Sequence, residues 1–129
     1  NILAPGMGKN IGDGWETKRS RGKNFDWLIL KCATAGKINK IQIDTHHFKG
    51  NYPDKCSVQA AYLDNRISSK SIVNKSKNWK LLLNKVKLHA HKKHNFNNKL
   101  MKNKKINYIK LNIYPDGGIS RIRVLGKAE

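Results

Sequence analysis

Ile109, Leu111 and Ile113 alternate with Lys110, Asn112 and Tyr114; the run Pro115-Asp116-Gly117-Gly118 follows; then Ile122 and Val124 alternate with Arg121, Arg123 and Leu125. A period of two sends successive side chains to opposite faces, so this stretch reads as strand, turn, strand. The same period recurs from Ile38 to Thr45, through Ile41 and Ile43, and from Ser57 to Leu63, through Val58, Ala60 and Tyr62. Trp79 to Leu83 is a further short strand candidate. Asp26 to Cys32 carries Trp27, Leu28, Ile29 and Leu30 without alternation, as a strand buried on both faces does, and Gly36 marks a turn after it. Apolar spacings of three and four are never sustained over a helix-length window, which leaves an all-β antiparallel sandwich or jelly roll. The in-phase positions Trp27, Ile29, Ile41, Ile43, Leu111, Ile113, Ile122 and Val124 are the expected core. The polar stretches Asp64 to Asn78 and Asn97 to Lys105 are expected to loop over the surface.

At 129 residues the chain is bounded at one domain, 1–129. No apolar run approaches the roughly 20 residues of a membrane helix. The formal charge of +19 invites a nucleic-acid reading, but 22 Lys stand against 5 Arg, alongside 15 Asn and 13 Ile. That joint excess is what A/T-rich coding produces, and bidentate phosphate or guanine recognition would favour Arg. A solvated basic surface is the better account. Cys32 and Cys56 form no CxxC pair, so they read as small buried hydrophobes in a reducing, cytoplasmic setting. The sequon Asn74-Lys75-Ser76 is close to chance in so Asn-rich a chain.

Four segments concentrate chemistry. Gly12 to Arg21 holds Asp13, Trp15, Glu16, Lys18, Arg19 and Arg21; it is either a site or a loop anchored by a buried Trp15 with a Glu16–Arg19 ion pair. Asp44 to Asp54 ends a strand in a carboxylate and two imidazoles, His46 and His47, groups suited to proton transfer near neutral pH. His89-Ala90-His91-Lys92-Lys93-His94 invites a metal, yet only His89 and His91 share a strand face and three lysines nearby repel a cation, so no metal ligand is assigned. Tyr114 to Gly118 with Arg121 and Arg123 is either part of a site or a plain turn followed by exposed cations. The start, Gly6-Met7-Gly8-Lys9-Asn10, has neither dinucleotide nor P-loop spacing.

GDGWETKRSR at 12–21, DTHHFKGNYPD at 44–54 and LNIYPDGGISRIRV at 111–124 closely resemble allantoicase, a ureide-degrading amidinohydrolase, and LHAHKKHNF at 88–96 is similar to the corresponding linker. The resemblance implies a galactose-binding-domain-like jelly roll, in agreement with the strand pattern. It also implies that the chain is one of two homologous repeats, the second, lacking its first strands and its partner repeat. Phe25 stands where the family usually has His, and His46 where it has a small residue, which makes His47 the match to the family imidazole.

By resemblance the reaction is allantoate plus water giving ureidoglycolate and urea. Such a site needs a cation for the substrate carboxylate, an acid for the departing nitrogen and a base for water. Glu16, Asp44, His47 and Asp116 are the catalytic candidates, and Lys18, Arg19, Arg21, Lys49 and Asn51 the substrate-binding ones. We expect Glu16, Arg19, Asp44 and His47 to share one pocket. Nothing in the sequence requires a cofactor, and a divalent metal stays open. The expected partners are the small-molecule ureide, the missing repeat and further copies of the chain, with no specific nucleic acid and no membrane. Two rivals stay open: a non-catalytic jelly-roll module binding carbohydrate or another ligand through exposed Trp15, Trp27 or Trp79, and a nucleic-acid binder with steep salt dependence.

Overall fold

The computed structural model describes residues 2–17, 25–64 and 67–128. Its elements in chain order are β1 (Trp15–Glu16), β2 (Asp26–Asp44), β3 (Lys55–Ala61), α1 (Ser69–Ser76), β4 (Lys80–Lys87), β5 (Lys93–Phe96), β6 (Ile106–Tyr114), β7 (Gly118–Ile119) and β8 (Arg121–Ala128). All strand pairings are antiparallel. The fold is the expected all-β sandwich with one short helix.

β2 organises it. Its first half pairs with β6, which continues the sheet to β3 and β4; its second half pairs with β8 on one edge and β5 on the other. The strand thus belongs to both layers, and one core lies between them: Val58, Leu83, Ile109, Leu111 and Ile113 from one side, Ile41, Ile43 and Ile122 from the other.

The turn expected at Gly36 is absent, because the strand runs through it. Gly36 pairs with Ile106 on one edge and Ala128 on the other, and a Cβ there would meet the Lys127 carbonyl. Glycine serves close backbone approach at this crossing, not reversal. Beyond it, Ile38 opposes Gly126 and Lys40 opposes Leu125, so Asn39 is an extra residue, a bulge that changes the strand's phase. Asn103 pins the bulge by accepting from the Ile38 N–H at 2.8 Å and donating to its carbonyl at 3.0 Å.

That phase change corrects part of the expected core. Ile41, Ile43, Leu111, Ile113 and Ile122 are buried as expected, and Val124 packs partly against them. In the first half of β2, however, Leu28, Leu30 and Cys32 face the core, while the expected Ile29 is half-buried outside it and Trp27 is 40% exposed. Trp27 lies on the outer face under the Lys110 ammonium, 4.7 Å from its ring centroid. Four consecutive apolar residues carry no period, so the register there was undetermined until β6 supplied it through Leu28↔Leu111 and Leu30↔Ile109.

Two further expectations change. Within the polar stretch taken as loop, Ser69–Ser76 forms α1, started by Ser68, whose hydroxyl accepts from the Ser71 N–H at 3.2 Å. Ser76 is buried and receives the Lys110 ammonium at 3.0 Å. Tyr62, expected in phase with Val58, lies beyond the end of β3 and is exposed. Among the described residues, no helix is long and apolar enough to cross a membrane.

Candidate active site

The short pairing of β1 with β7 sets Glu16 opposite Gly118. Thr17 extends it, its N–H donating to the Gly117 carbonyl at 3.0 Å and its hydroxyl accepting from the Gly117 N–H at 3.2 Å. A third segment closes on both: the Gly118 N–H donates to the Asn51 carbonyl at 2.8 Å, and the Asn51 side-chain amide donates to the Glu16 carboxylate. Phe48 underlies the junction. Its ring lies so close to Gly118 that any Cβ there would overlap it, which explains the second glycine of the Pro-Asp-Gly-Gly turn; the first, Gly117, adopts φ 131°.

These segments enclose a cleft of about 700 Å³ whose lining includes Glu16, Thr17, Asn51, Asp54, Asp116 and Gly117. Three of the chain's eight Asp and Glu residues therefore meet in one place on a molecule carrying 27 Lys and Arg. Asp54 is ion-paired with Lys87, and that hydrogen bond holds its carboxyl below the usual carboxylate range. Glu16 and Asp116 face the cleft with the Asn51 amide between segments, a group of acceptors and donors suited to a small polar molecule.

Asp44 and His47 belong to a neighbouring cluster. β2 ends at Asp44, which is 1% exposed and accepts from the His46 N–H at 2.9 Å, shaping the turn that follows. The turn closes through the Phe48 N–H to the Thr45 carbonyl at 2.9 Å, and His47 sits in it at φ 74°. That left-handed geometry costs a non-glycine residue of order 1–3 kcal/mol and is found where surrounding contacts dictate it. Here the His47 N–H donates to His91 Nδ1 at 2.9 Å, and His47 Nε2 lies 2.6 Å from the Gly8 carbonyl. A carbonyl can only accept, so Nε2 carries the proton.

The turn at 89–92 is stitched to that of 45–48. Thr45 Oγ1 donates to the His89 carbonyl at 2.6 Å, and the His91 N–H donates to the Phe48 carbonyl at 3.1 Å. The strand face expected for His89 and His91 is therefore a turn between β4 and β5. His46 lies against His91 with ring centroids 3.9 Å apart and the planes tilted by 33°. Burial, with the charges of His46, Lys49 and His47, pushes the His91 imidazole down. His94 is buried, its Nε2 accepting from the His89 N–H at 2.8 Å and its Nδ1 at 2.9 Å from the Ile43 carbonyl. Among the described residues, no group of three or more His, Cys, Asp or Glu is arranged to hold a metal ion.

The expected shared pocket is thus resolved into two parts bridged by Phe48. Glu16, Asn51 and Asp116 line the cleft; Asp44 and His47 lie in the turn cluster; Lys49 is exposed in the loop that links them. Lys18, Arg19 and Arg21 fall outside the described residues, directly after Thr17 of the cleft wall. The tryptophans form no common platform: Trp27 is exposed, Trp15 packs partly on the core and Trp79 is buried.

Of the two readings open for Arg121, part of a site or an exposed cation after a plain turn, the second does not hold: Arg121 is 3% exposed. Its Nη2 donates to Asp13 Oδ2 at 2.7 Å, and its Nη1 to the carbonyls of Asp13 and Ser120. Arg123 likewise donates to the carbonyls of Ala4 and Gly6. The signal for them was their identity: in a chain with 22 Lys and 5 Arg, an Arg marks a position where the planar fork is used.

A profile of the allantoicase repeat matches residues 1–129. The chain is 49% identical over 126 residues to a probable allantoicase of Burkholderia mallei, covering 98% of this chain and 37% of that protein. It is 46% identical to a probable allantoicase of Acinetobacter baumannii, again over 98% of this chain and 38% of that one. The crystal structure of allantoicase from Saccharomyces cerevisiae superposes with a TM-score of 0.80 at 35% identity, covering 98% of this chain and 35% of the yeast chain. The chain therefore spans little more than a third of its relatives' length, and it belongs to the allantoicase family.

Proposed function

We propose that this chain is one repeat of a longer hydrolase of ureide catabolism that converts allantoate and water to ureidoglycolate and urea. The observation that carries the reading is the meeting of Glu16, Asp54 and Asp116 with Asn51 in one cleft of a strongly basic molecule, inside the family's repeat. Allantoate is an aminal: one carbon bears two ureido nitrogens and a carboxylate. An acid protonates the departing nitrogen while the lone pair of the other assists, and a base takes a proton from the water that adds to the carbon. Glu16 and Asp116 are the groups at the cleft for these two proton transfers. Asn51 orients the ureido groups, and Lys18, Arg19, Arg21 and Lys49 supply positive charge for the substrate carboxylate. His47, in the turn cluster on the other side of Phe48, is the third candidate for these proton transfers, and Asp44 holds its turn.

On this reading the repeat works with a second, homologous repeat and with the strands that complete its own layers, in a cytoplasmic homo-oligomer. An apolar cleft of about 670 Å³ between the first half of β2 and β8, lined by Leu3, Leu30, Cys32, Ile109 and Val124, offers a seat for such strands. The test is urea release from allantoate by the full-length protein. Glu16→Gln and Asp116→Asn should each lower kcat by about 10²–10⁴-fold, the usual worth of a general acid or base. Unchanged turnover in both overturns the roles given to Glu16 and Asp116, absence of urea release overturns the hydrolase reading, and saturable allantoate binding without urea favours the ligand-binding module.

A further inference from the structure

The N-terminal coil runs along β8 and is pinned to it at three levels. The Ile122 N–H donates to the Ile2 carbonyl at 3.1 Å, Arg123 takes the Ala4 and Gly6 carbonyls, and Arg121 takes Asp13 through both backbone and side chain. Between the last two pins lies Gly8, buried against Ser120 and Arg121. Its carbonyl is the partner of His47 Nε2. On the far side, the His47 backbone is tied to His91. The imidazole is therefore gripped between a turn that holds its main chain and a coil that holds its ring, and the coil's position is set from β8.

We propose that Arg121, acting with Asp13, is a positioning residue for His47: it fixes the coil so that the Gly8 carbonyl selects the Nε2–H tautomer and the ring's orientation. Several features fit this role better than simple surface pairing. The Arg121 guanidinium is almost wholly buried, whereas Asp13 is only partly so. A buried cation is costly unless its donors are used, and Arg121 directs its two Nη groups to the Asp13 carboxylate and to two carbonyls, Asp13's and Ser120's, leaving only Nε without a partner. It also stands opposite Asp44 in the β2–β8 register, one turn from His47. The Asp13 carboxylate accepts in turn from the Lys9 N–H at 3.2 Å, so the pair holds the residue next to Gly8 as well. Only a planar fork reaches these acceptors together; an ammonium would not.

The inference rests on the proposed role of His47 for its bearing on turnover, but not for its effect on the ring. The test is therefore nitrogen-detected NMR of His47 in the chain, at a pH where its imidazole is neutral. Arg121→Gln and Asp13→Asn should each shift the tautomer ratio away from Nε2–H by about fivefold, the value of one net hydrogen bond. Asp13→Asn keeps the buried Arg121 and decides the matter if Arg121→Gln does not fold. A ratio unchanged in Asp13→Asn, or in a folded Arg121→Gln, overturns the proposal. In the full-length protein, the same variants should lower kcat more than tenfold with KM within about threefold, since they alter the geometry of a reacting group and not substrate binding. Should His47→Gln retain full turnover while the tautomer still responds to Asp13→Asn, the positioning stands and the role of His47 in the reaction falls.

Discussion

His94 is buried with both ring nitrogens committed, one to the Ile43 carbonyl and one to the His89 N–H, an arrangement open only to the neutral imidazole. Burial pushes its pKa below the ordinary 6.5. The unfolded chain then takes up the proton first, so the stability contributed by neutral His94 is complete above about 6.5 and is lost as pH falls through the lower folded value. His91 shifts in the same direction. We expect the melting temperature to fall from pH 7.5 to pH 5, and His94→Leu to flatten that decline while costing about 2–3 kcal/mol at pH 7.5 for two orphaned backbone groups; melts at both pH values check it. At this scale the sequence revealed which segments gather ionisable and polar groups, because Asp, His, Asn and Gly crowd into them against a lysine background. It did not reveal that Arg121 is buried, since burial depends on Asp13, 108 positions away.

The alternating strands were legible as elements because each has a single core face. β6 and β8 match their expected phases, as does the second half of β2. The first half of β2 was not, for Trp27 to Leu30 offers two equally apolar faces and only pairing with β6 chooses between them. The outcome is measurable. Leu28→Ala should cost about 2–3 kcal/mol by opening the core, whereas Trp27→Ala should cost about 1–2 kcal/mol, the value of a cation–π contact whose ring is half exposed while its Lys110 ammonium is buried; denaturant titrations of the two variants give the ranking. α1 was illegible for a different reason. It is one short polar helix, held by Ser76 under Lys110 and not by an apolar stripe. The abundance of Asn also has a use that composition hides: Asn103 and Asn107 substitute for missing strand partners at Ile38 and Leu63.

For the whole molecule, the cleft is made by segments that meet only in the finished fold, and so is the clasp of Arg121 on Asp13. Glu16 faces Gly118, and Asp13 waits for Arg121 across 108 positions. On a ribosome adding about 5–20 residues per second, the first wall of the cleft stands open for about 5–20 s before its partners are made. The core between β2, β3, β4 and β6 can assemble in that interval, but β1 cannot pair and the N-terminal coil has nothing to lie against. Stalled chains that expose residues only up to Tyr114 should therefore be cut by protease within the first sixteen or so positions, and chains exposing Ala128 should resist. Within this repeat the cleft and the clasp close only once β7 and β8 exist, so until then Glu16 lacks Gly118 and Asp13 lacks Arg121.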